Sequence, residues 1–228
     1  MRADPIRRVV DPRRSGLAVR LGWGLLWLAL AALGFEFLHA AYLKYASLDS
    51  PAYAMFLSRR GWLWCHLGGG VLGIVLGTLQ FATQRWRGHL QVHRWVGRVY
   101  FAGMLVAMFG AAGLIATSPA PWVIRLAFTA TSLAWLVTAA MGLVAIRRRR
   151  VEAHRRWMMR AYLVTLAPAV FRLALAGAVS HGIAPSPDTI ALLLWCSWVL
   201  PLLVYALGRR VAAAVTAAAG GQAYARPQ

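Results

Sequence analysis

The chain has 228 residues, of which 60% are hydrophobic and 14% charged, and its mean hydropathy is +0.58. A soluble domain carries about a quarter charged residues, so this composition excludes an ordinary soluble enzyme and a disordered chain. Basic residues outnumber acidic ones by 25 to 6, a formal net charge of +19, but the long apolar runs argue for a membrane protein and against nucleic acid as a partner.

Six apolar stretches are long enough to cross a bilayer as helices, which takes about 20 residues each. In chain order they are residues 21–43, 61–82, 95–117, 122–146, 157–180 and 189–207. The first is too long for the core of a signal peptide and contains Glu36 and His39, so we interpret it as a retained span. The sequence therefore predicts an all-α membrane protein, a six-transmembrane-helix bundle.

Three regions follow from these spans. Residues 1–15 form a basic N-terminal arm, which we expect to lie on anionic lipid headgroups. Residues 16–210 form the transmembrane domain, and residues 211–228 form an Ala/Gly-rich tail that we expect to be disordered. Cys65 and Cys196 lie inside apolar runs without a paired-cysteine motif, which indicates ordinary buried cysteines.

Arginine is distributed unevenly over the connections, and this asymmetry predicts an orientation. The N-terminal arm, the connections after spans two and four, and the segment after span six are rich in arginine, whereas the other connections carry few basic residues. Basic residues accumulate on the cytoplasmic side of a membrane, so both termini are predicted to be cytoplasmic. The location that fits is the bacterial inner membrane, with anionic lipid headgroups around the arginines.

Two of the arginine-rich segments resemble each other. One runs from His93 to Tyr100 and the other from His154 to Tyr162, and both contain His-Arg followed by W-x-x-R-x-Y, with one extra arginine in the second. Their tryptophans are about one helical hairpin apart. Spans two and three are therefore a candidate duplicate of spans four and five. Chance convergence on residues typical of the membrane interface is the alternative.

Ionisable side chains inside membrane spans are costly and usually face the interior of a bundle. Here they are Glu36 and His39 in span one, His66 in span two and Arg172 in span five. With the predicted topology all four lie in the outer half of the bundle, and His39 and His66 lie at similar depth. Glu36 and His39 share a face of their helix, so we expect a polar site there.

Two neutral imidazoles at matched depth can ligate a haem iron. The sequence offers an outer pair, His39 and His66, as metal ligands and an inner pair, His93 and His154. Glycines that follow His66 at helical spacing leave room for a flat ligand or for a neighbouring backbone. Two simpler interpretations stay open. The outer set would be a buried hydrogen-bonded network in which Glu36 and Arg172 compensate each other, and the inner pair would be headgroup anchors.

These motifs resemble a bacterial family of predicted membrane proteins, domain of unknown function 2306. The matching features are His66, a glycine-rich helix ending in Gln80, the H-R-x-x-G-R-x-Y segment from His93, the H-R-R-W-M-x-R segment from His154, and Arg172. The resemblance covers residues 60–180. It implies a multi-pass membrane protein and no established activity.

A weaker resemblance is to six-helix transmembrane b-type cytochromes, which have a four-helix core and histidines at both membrane faces. This resemblance implies haem b as a cofactor. The chain departs from the pattern because spans three, four and five carry no histidine in their middle portions.

The leading interpretation is a multi-pass inner-membrane redox protein that holds haem b or a quinone near His39, His66 and Arg172 and exchanges electrons with a redox partner. His39 and His66 would be axial ligands, Glu36 would orient His39 or relay a proton, and Arg172 would hold an anionic group. A proton-coupled small-molecule transporter and a structural or accessory membrane subunit are the alternatives. The sequence contains no Ser/His/Asp arrangement and no HExxH motif that would indicate a hydrolase.

Overall fold

The computed structural model describes residues 12–47, 49–83 and 90–224, and the regular structure within them is helical. The helices are α1 (Pro12–Tyr45), α2 (Pro51–Ala54), a 3-10 helix (Leu57–Arg59), α3 (Arg60–Thr83), α4 (Leu90–Ala116), α5 (Trp122–Arg147), α6 (Val151–Thr165), α7 (Ala167–Ser180) and α8 (Pro187–Tyr224). The predicted all-α membrane bundle is confirmed.

Five of these helices are long and apolar enough to cross a membrane, and the bent pair of α6 and α7 brings the number to six when it is counted as one span. The sixth is not straight, because the two helices meet at an angle of 42°. Pro168 in the first turn of α7 has no N–H to continue the hydrogen-bond ladder of α6, which accounts for the break. The predicted fifth span is therefore two helices joined at Leu166.

Helices α3 and α4 pack closely through glycines. A Cβ atom on Gly69 would collide with the backbone of Gly103 and Ala107, and one on Gly110 would collide with the backbone of His66. Without a hydrophobic driving force between helices in lipid, such close backbone contact is a main source of association. The glycines near His66 are predicted to leave room for a flat ligand or for a neighbouring backbone. Gly69 has the second role.

Two buried clusters hold the remaining helices together. The first joins α4, α5 and α6 through Met104, Ala139 and Ala161. The second joins α5 and α8 through Ala127, Ala191 and Leu194, with Phe171 of α7 against it. Each cluster contains two fully or nearly fully buried alanines, which let the helices approach one another.

Helix α1 lies at the edge of this bundle, and only 6% of its apolar span is buried. It contacts the other helices through Gly34, which packs against Ile74, and through Trp27, whose ring centroid lies 4.4 Å from that of Phe81. These contacts define one inward face of α1 and leave most of its circumference exposed.

Helix α8 extends into the predicted C-terminal tail. Helix α8 continues to Tyr224, whereas the sequence analysis expects a disordered tail from residue 211. Alanine has the highest helix propensity, and this segment is rich in alanine, so it continues the helix although residues 211–215 are exposed. Most of the predicted basic arm lies outside the described residues, since α1 begins at Pro12.

Candidate functional site

The polar residues predicted for the outer half of the bundle lie in different surroundings. Glu36 and His39 are exposed on α1, and the His39 ring stacks on Phe35 with centroids 6.2 Å apart. His66 is partly buried on α3, where its Nδ1 lies 3.2 Å from the carbonyl oxygen of Ala107 on α4. The structure therefore does not bring His39 and His66 together as a pair of iron ligands.

The geometry of α1 explains this separation. Gly34 is buried and marks the side of α1 that faces the bundle. At about 100° per residue, Glu36 lies on roughly the opposite side of the helix and His39 about 140° from Gly34. Both side chains consequently point away from α3, on which His66 lies.

Arg172 has a different neighbour from the one predicted. Its guanidinium lies 5.5 Å from the centre of the Phe37 ring, a cation–π contact between α7 and α1. Within the described part of the chain, the one ion pair joins Arg155 and Glu152. The expected pairing of Arg172 with Glu36 is therefore not observed. In these residues there is also no group of three or more His, Cys, Asp or Glu side chains that could hold a metal ion.

The structure places a cavity of about 1050 Å³ at the other end of the bundle, between α3, α4, α5 and α6. At this end α3 and α5 finish and α4 and α6 begin; we call it the arginine-rich end. The polar and charged side chains around the cavity are Gln80, His93, Arg94, Arg98, Tyr100, Arg149, His154, Arg155 and Tyr162. The apolar walls come from Phe81, Phe101, Leu105, Leu143, Ile146 and Met158. Sites for cofactors and small molecules measure about 300–1,000 Å³, so this volume is at the upper end of their range.

Both copies of the repeated motif contribute to this one cavity. His93 and Tyr100 of the first copy and His154 and Tyr162 of the second all line it. The W-x-x-R part has the same local structure in each copy, because an arginine guanidinium lies 4.8 Å from the Trp95 ring in the first and 4.5 Å from the Trp157 ring in the second. This agreement follows from the shared three-residue spacing on a helix, so the duplication of a helical hairpin stays a prediction.

His154 is oriented by the backbone of α5. Its Nδ1 lies 2.8 Å from the carbonyl oxygen of Gly142. A carbonyl only accepts hydrogen bonds, so Nδ1 carries the proton and the neutral ring keeps its lone pair on Nε2. A Cβ on Gly142 would lie 2.7 Å from the sulfur of Met158, so glycine at this position lets α6 come close enough for the bond.

Gln80 links the end of α3 to the start of α4. Its side-chain amide donates a hydrogen bond of 2.7 Å to the carbonyl oxygen of His93. The Gln80 amide can lie against α4 because Gly97, one turn after His93, has no side chain. A Cβ on Gly97 would lie 2.9 Å from the amide nitrogen of Gln80. Gln80 therefore holds the part of α4 from which His93 reaches the cavity.

Two tyrosines form the inner wall of the cavity, and each is only 1% exposed. The Tyr162 hydroxyl lies 2.6 Å from the Thr78 hydroxyl, and the Tyr100 hydroxyl lies 3.4 Å from that of Thr165. Each threonine donates its own hydrogen to the carbonyl four residues earlier in its helix. With the threonine hydrogens used in this way, the tyrosine is left as the donor in both pairs.

Gly77 lies beside both tyrosine rings and is one of the glycines that follow His66 at helical spacing. A Cβ on Gly77 would lie 2.7 Å from the Tyr162 ring and 3.5 Å from the Tyr100 ring. Gly73, one turn away, faces Trp135 at 3.2 Å. The space beside Gly73 and Gly77 is thus filled by aromatic side chains of neighbouring helices.

Arg149 reaches the cavity from a strained turn. It lies between α5 and α6 with φ of +57°, a region that residues with a side chain rarely adopt. The turn is closed by hydrogen bonds of 2.9 Å from Arg149 N to the Ile146 oxygen and from Arg150 N to the Ala145 oxygen. In the sequence this arginine was visible only as part of a basic run that indicates topology, since its place at the cavity depends on the turn.

The charge around the cavity is of one sign. Four arginines contribute to its lining, and none of its described lining residues is acidic. Arg155 pairs with Glu152 at 2.7 Å, but their side chains are 57% and 71% exposed, so water weakens this pair. The site therefore favours a ligand with an apolar body and anionic groups.

Comparison with known proteins identifies the family. The family model for predicted membrane proteins, DUF2306, matches residues 63–208, which is more than half of the chain. The matched region contains the helices around the cavity and begins after α1. No curated protein and no solved structure matches the chain. The chain belongs to the DUF2306 family of predicted membrane proteins.

Proposed function

We propose that the protein is a membrane redox protein that binds haem b in the cavity at the arginine-rich end. One observation carries the proposal: His93 on α4 and His154 on α6 line the same cavity, among arginines and apolar side chains and without an acidic lining residue. This is the inner of the two histidine pairs seen in the sequence. The outer pair is not favoured, because His39 is exposed on the far side of α1.

His154 has the hydrogen-bonding arrangement that haem ligation requires. Ligation uses the lone pair of a neutral imidazole, and a ligating histidine commonly donates its other ring hydrogen to a backbone carbonyl. His154 has this arrangement with Gly142 as the acceptor. Under this assignment Nε2 of His154 would hold the iron, and His93 on α4 would supply the second imidazole.

The remaining lining residues suit the other parts of the cofactor. Each candidate ligand is followed directly by an arginine, Arg94 after His93 and Arg155 after His154. Guanidinium groups bind carboxylates through charge-assisted hydrogen bonds, so these arginines would hold propionates. Phe101, Leu143 and other apolar walls exclude water from the ring. When bound, haem would supply a one-electron iron couple.

The orientation of the membrane determines which side exchanges electrons with the site. We propose that the arginine-rich end faces the cytoplasm of a bacterial inner membrane, because basic residues accumulate on that side. Both termini would then be cytoplasmic, and the redox partner of the site would approach from the cytoplasm or from the inner leaflet.

The test is a spectrum of the purified full-length protein from haem-replete cells. We expect reduced-minus-oxidised bands of a b-type haem, which His93→Ala and His154→Ala abolish or convert to a high-spin form. His181→Ala is the matched control, since His181 is exposed at the opposite end, and His66→Ala should also keep the bands. A folded protein that stays colourless after haem is added would exclude the proposal, and bands lost only in His66→Ala would move the site to the outer half.

A small-molecule transporter is the second candidate, and the break between α6 and α7 favours it. Broken helices commonly form binding sites in transporters. In this case the cavity would take an apolar organic anion instead of a cofactor. Uptake of such an anion into proteoliposomes by a colourless protein, reduced by Arg94→Ala, would support this function over the first.

A further inference from the structure

We propose that the outward face of α1 is an interface at which two copies of this chain pair within the membrane. This interface involves α1 alone and does not depend on the cofactor. Two ionisable side chains of α1 lie where a lone membrane protein would leave them in contact with lipid.

Glu36 lies near the middle of the apolar span Gly24–Tyr45, and His39 is one turn further along. Both side chains are exposed, and neither has a hydrogen bond or ion pair to another described residue. Ionisable groups at this depth are costly in hydrocarbon and almost always pair or face protein. The bundle itself does not cover them, because α1 packs through the opposite side, at Gly34.

The residues around them are spaced as in a helix pair. The exposed residues on this face follow one another at alternate intervals of four and three positions: Leu25, Ala29, Ala32, Glu36, His39 and Leu43. This is the spacing at which two helices keep one seam in contact along their length. The two alanines next to Glu36 let a second backbone come close.

The charges on the seam indicate a second copy of the same chain. A two-fold axis along the membrane normal makes each contact occur twice, with the two partners exchanged. Glu36 carries an acid and His39 a base three positions later, so Glu36 of each copy can hydrogen-bond His39 of the other. A seam with one acid and one base is thus complementary to itself and needs no other protein to satisfy it.

Cysteine crosslinking in native membranes tests the geometry. In a Cys65→Ala/Cys196→Ala background, Ala32→Cys lies on the seam, while Leu26→Cys lies about 120° round the same helix. Both positions are exposed, and Leu26 is 45% exposed, so neither substitution should disturb the fold. We expect a disulfide-linked dimer from Ala32→Cys at about ten times the yield from Leu26→Cys. Equal yields, or a crosslink from Ala32→Cys to a different protein, overturn the proposal.

A charge exchange tests the pairing itself. Single-molecule photobleaching of the full chain in lipid bilayers gives the fraction of dimers. We expect Glu36→Ala to weaken association by about tenfold, since two reciprocal hydrogen bonds are lost. The exchanged variant Glu36→His/His39→Glu should restore the dimer, because the reciprocal pairs form again. Monomers in the unchanged protein, or a dimer indifferent to both variants, would show that this face does not pair as proposed.

Discussion

Arg149 combines a strained backbone with a position at the cavity. A residue with a side chain in the left-handed region loses about 1–2 kcal/mol relative to the right-handed one, a cost that glycine does not bear. The sequence nevertheless has arginine here, where its guanidinium can reach the cavity. Strain retained at such a place is typical of a residue kept for binding rather than for stability.

Arg149→Gly should therefore separate stability from binding. We expect the free energy of unfolding to rise by about 0.5–1 kcal/mol, because the strain is relieved at the cost of some backbone entropy. Retention of the proposed haem should fall, since one cation of the cavity is removed. Unfolding in detergent and the haem content after purification measure the two effects.

The neighbouring residue provides the control for this substitution. Arg148 has φ of −83°, where glycine brings no relief, so Arg148→Gly should lower the free energy of unfolding by about 0.5–1 kcal/mol. If both variants change stability in the same direction, the strain at Arg149 is not the cause.

At the scale of helices, the packing of α3 against α4 depends on the positions of glycines. The two helices touch through backbone atoms at Gly69, where the opposing atoms belong to Gly103 and Ala107. Backbone atoms cannot move aside in the way a flexible side chain can. Their separation therefore sets how close the helices lie.

Gly69→Ala should force the two helices apart. We expect a loss of about 1–3 kcal/mol in the free energy of unfolding, the usual range for overpacking. Gly68→Ala is the matched control, because a Cβ there meets no atom within 4 Å and alanine favours the helix by up to about 1 kcal/mol. Unfolding of both variants in the same detergent checks the prediction, and an equal loss in both would contradict it.

The sequence predicted the helices well because length and hydropathy alone decide which segments cross a bilayer. Which side of a helix faces protein could not be read in the same way, since lipid and protein interior are equally apolar. Polarity suggested that Glu36 points inward, yet the small size of Gly34 determined which side of α1 packs. The repeated motif did place His93 and His154 among the candidates, but only the fold showed that they share one cavity.

At the scale of the whole molecule, the helix ends around the cavity establish which connections lie together. The arginines near the start of α4, in the turn between α5 and α6 and near the start of α6 line one space, so they lie at one end of the bundle. The packing of α3 to α6 therefore agrees with the alternating arginine content of the connections, because the arginine-rich segments meet at the same end. Both copies of the repeated hairpin contribute their polar ends to this side.

Reporter fusions test the orientation. Green fluorescent protein fused after Arg210 should fluoresce, because the arginine-rich end is expected in the cytoplasm. Alkaline phosphatase inserted in the connection between α4 and α5, residues 117–121, should be active on the opposite side. Activity of the phosphatase after Arg210 and fluorescence at residues 117–121 would reverse the assignment.

The tyrosine hydroxyls have a consequence for selectivity. Tyr100 and Tyr162 have each committed their single proton to a threonine, so their phenolic groups can offer an incoming molecule lone pairs but no hydrogen. A ligand carbonyl placed beside these two oxygens would find no phenolic proton to accept. An edge of carbon and hydrogen needs no donor at that depth. For the proposed redox function, this wall therefore suits the edge of a haem better than the head of a quinone.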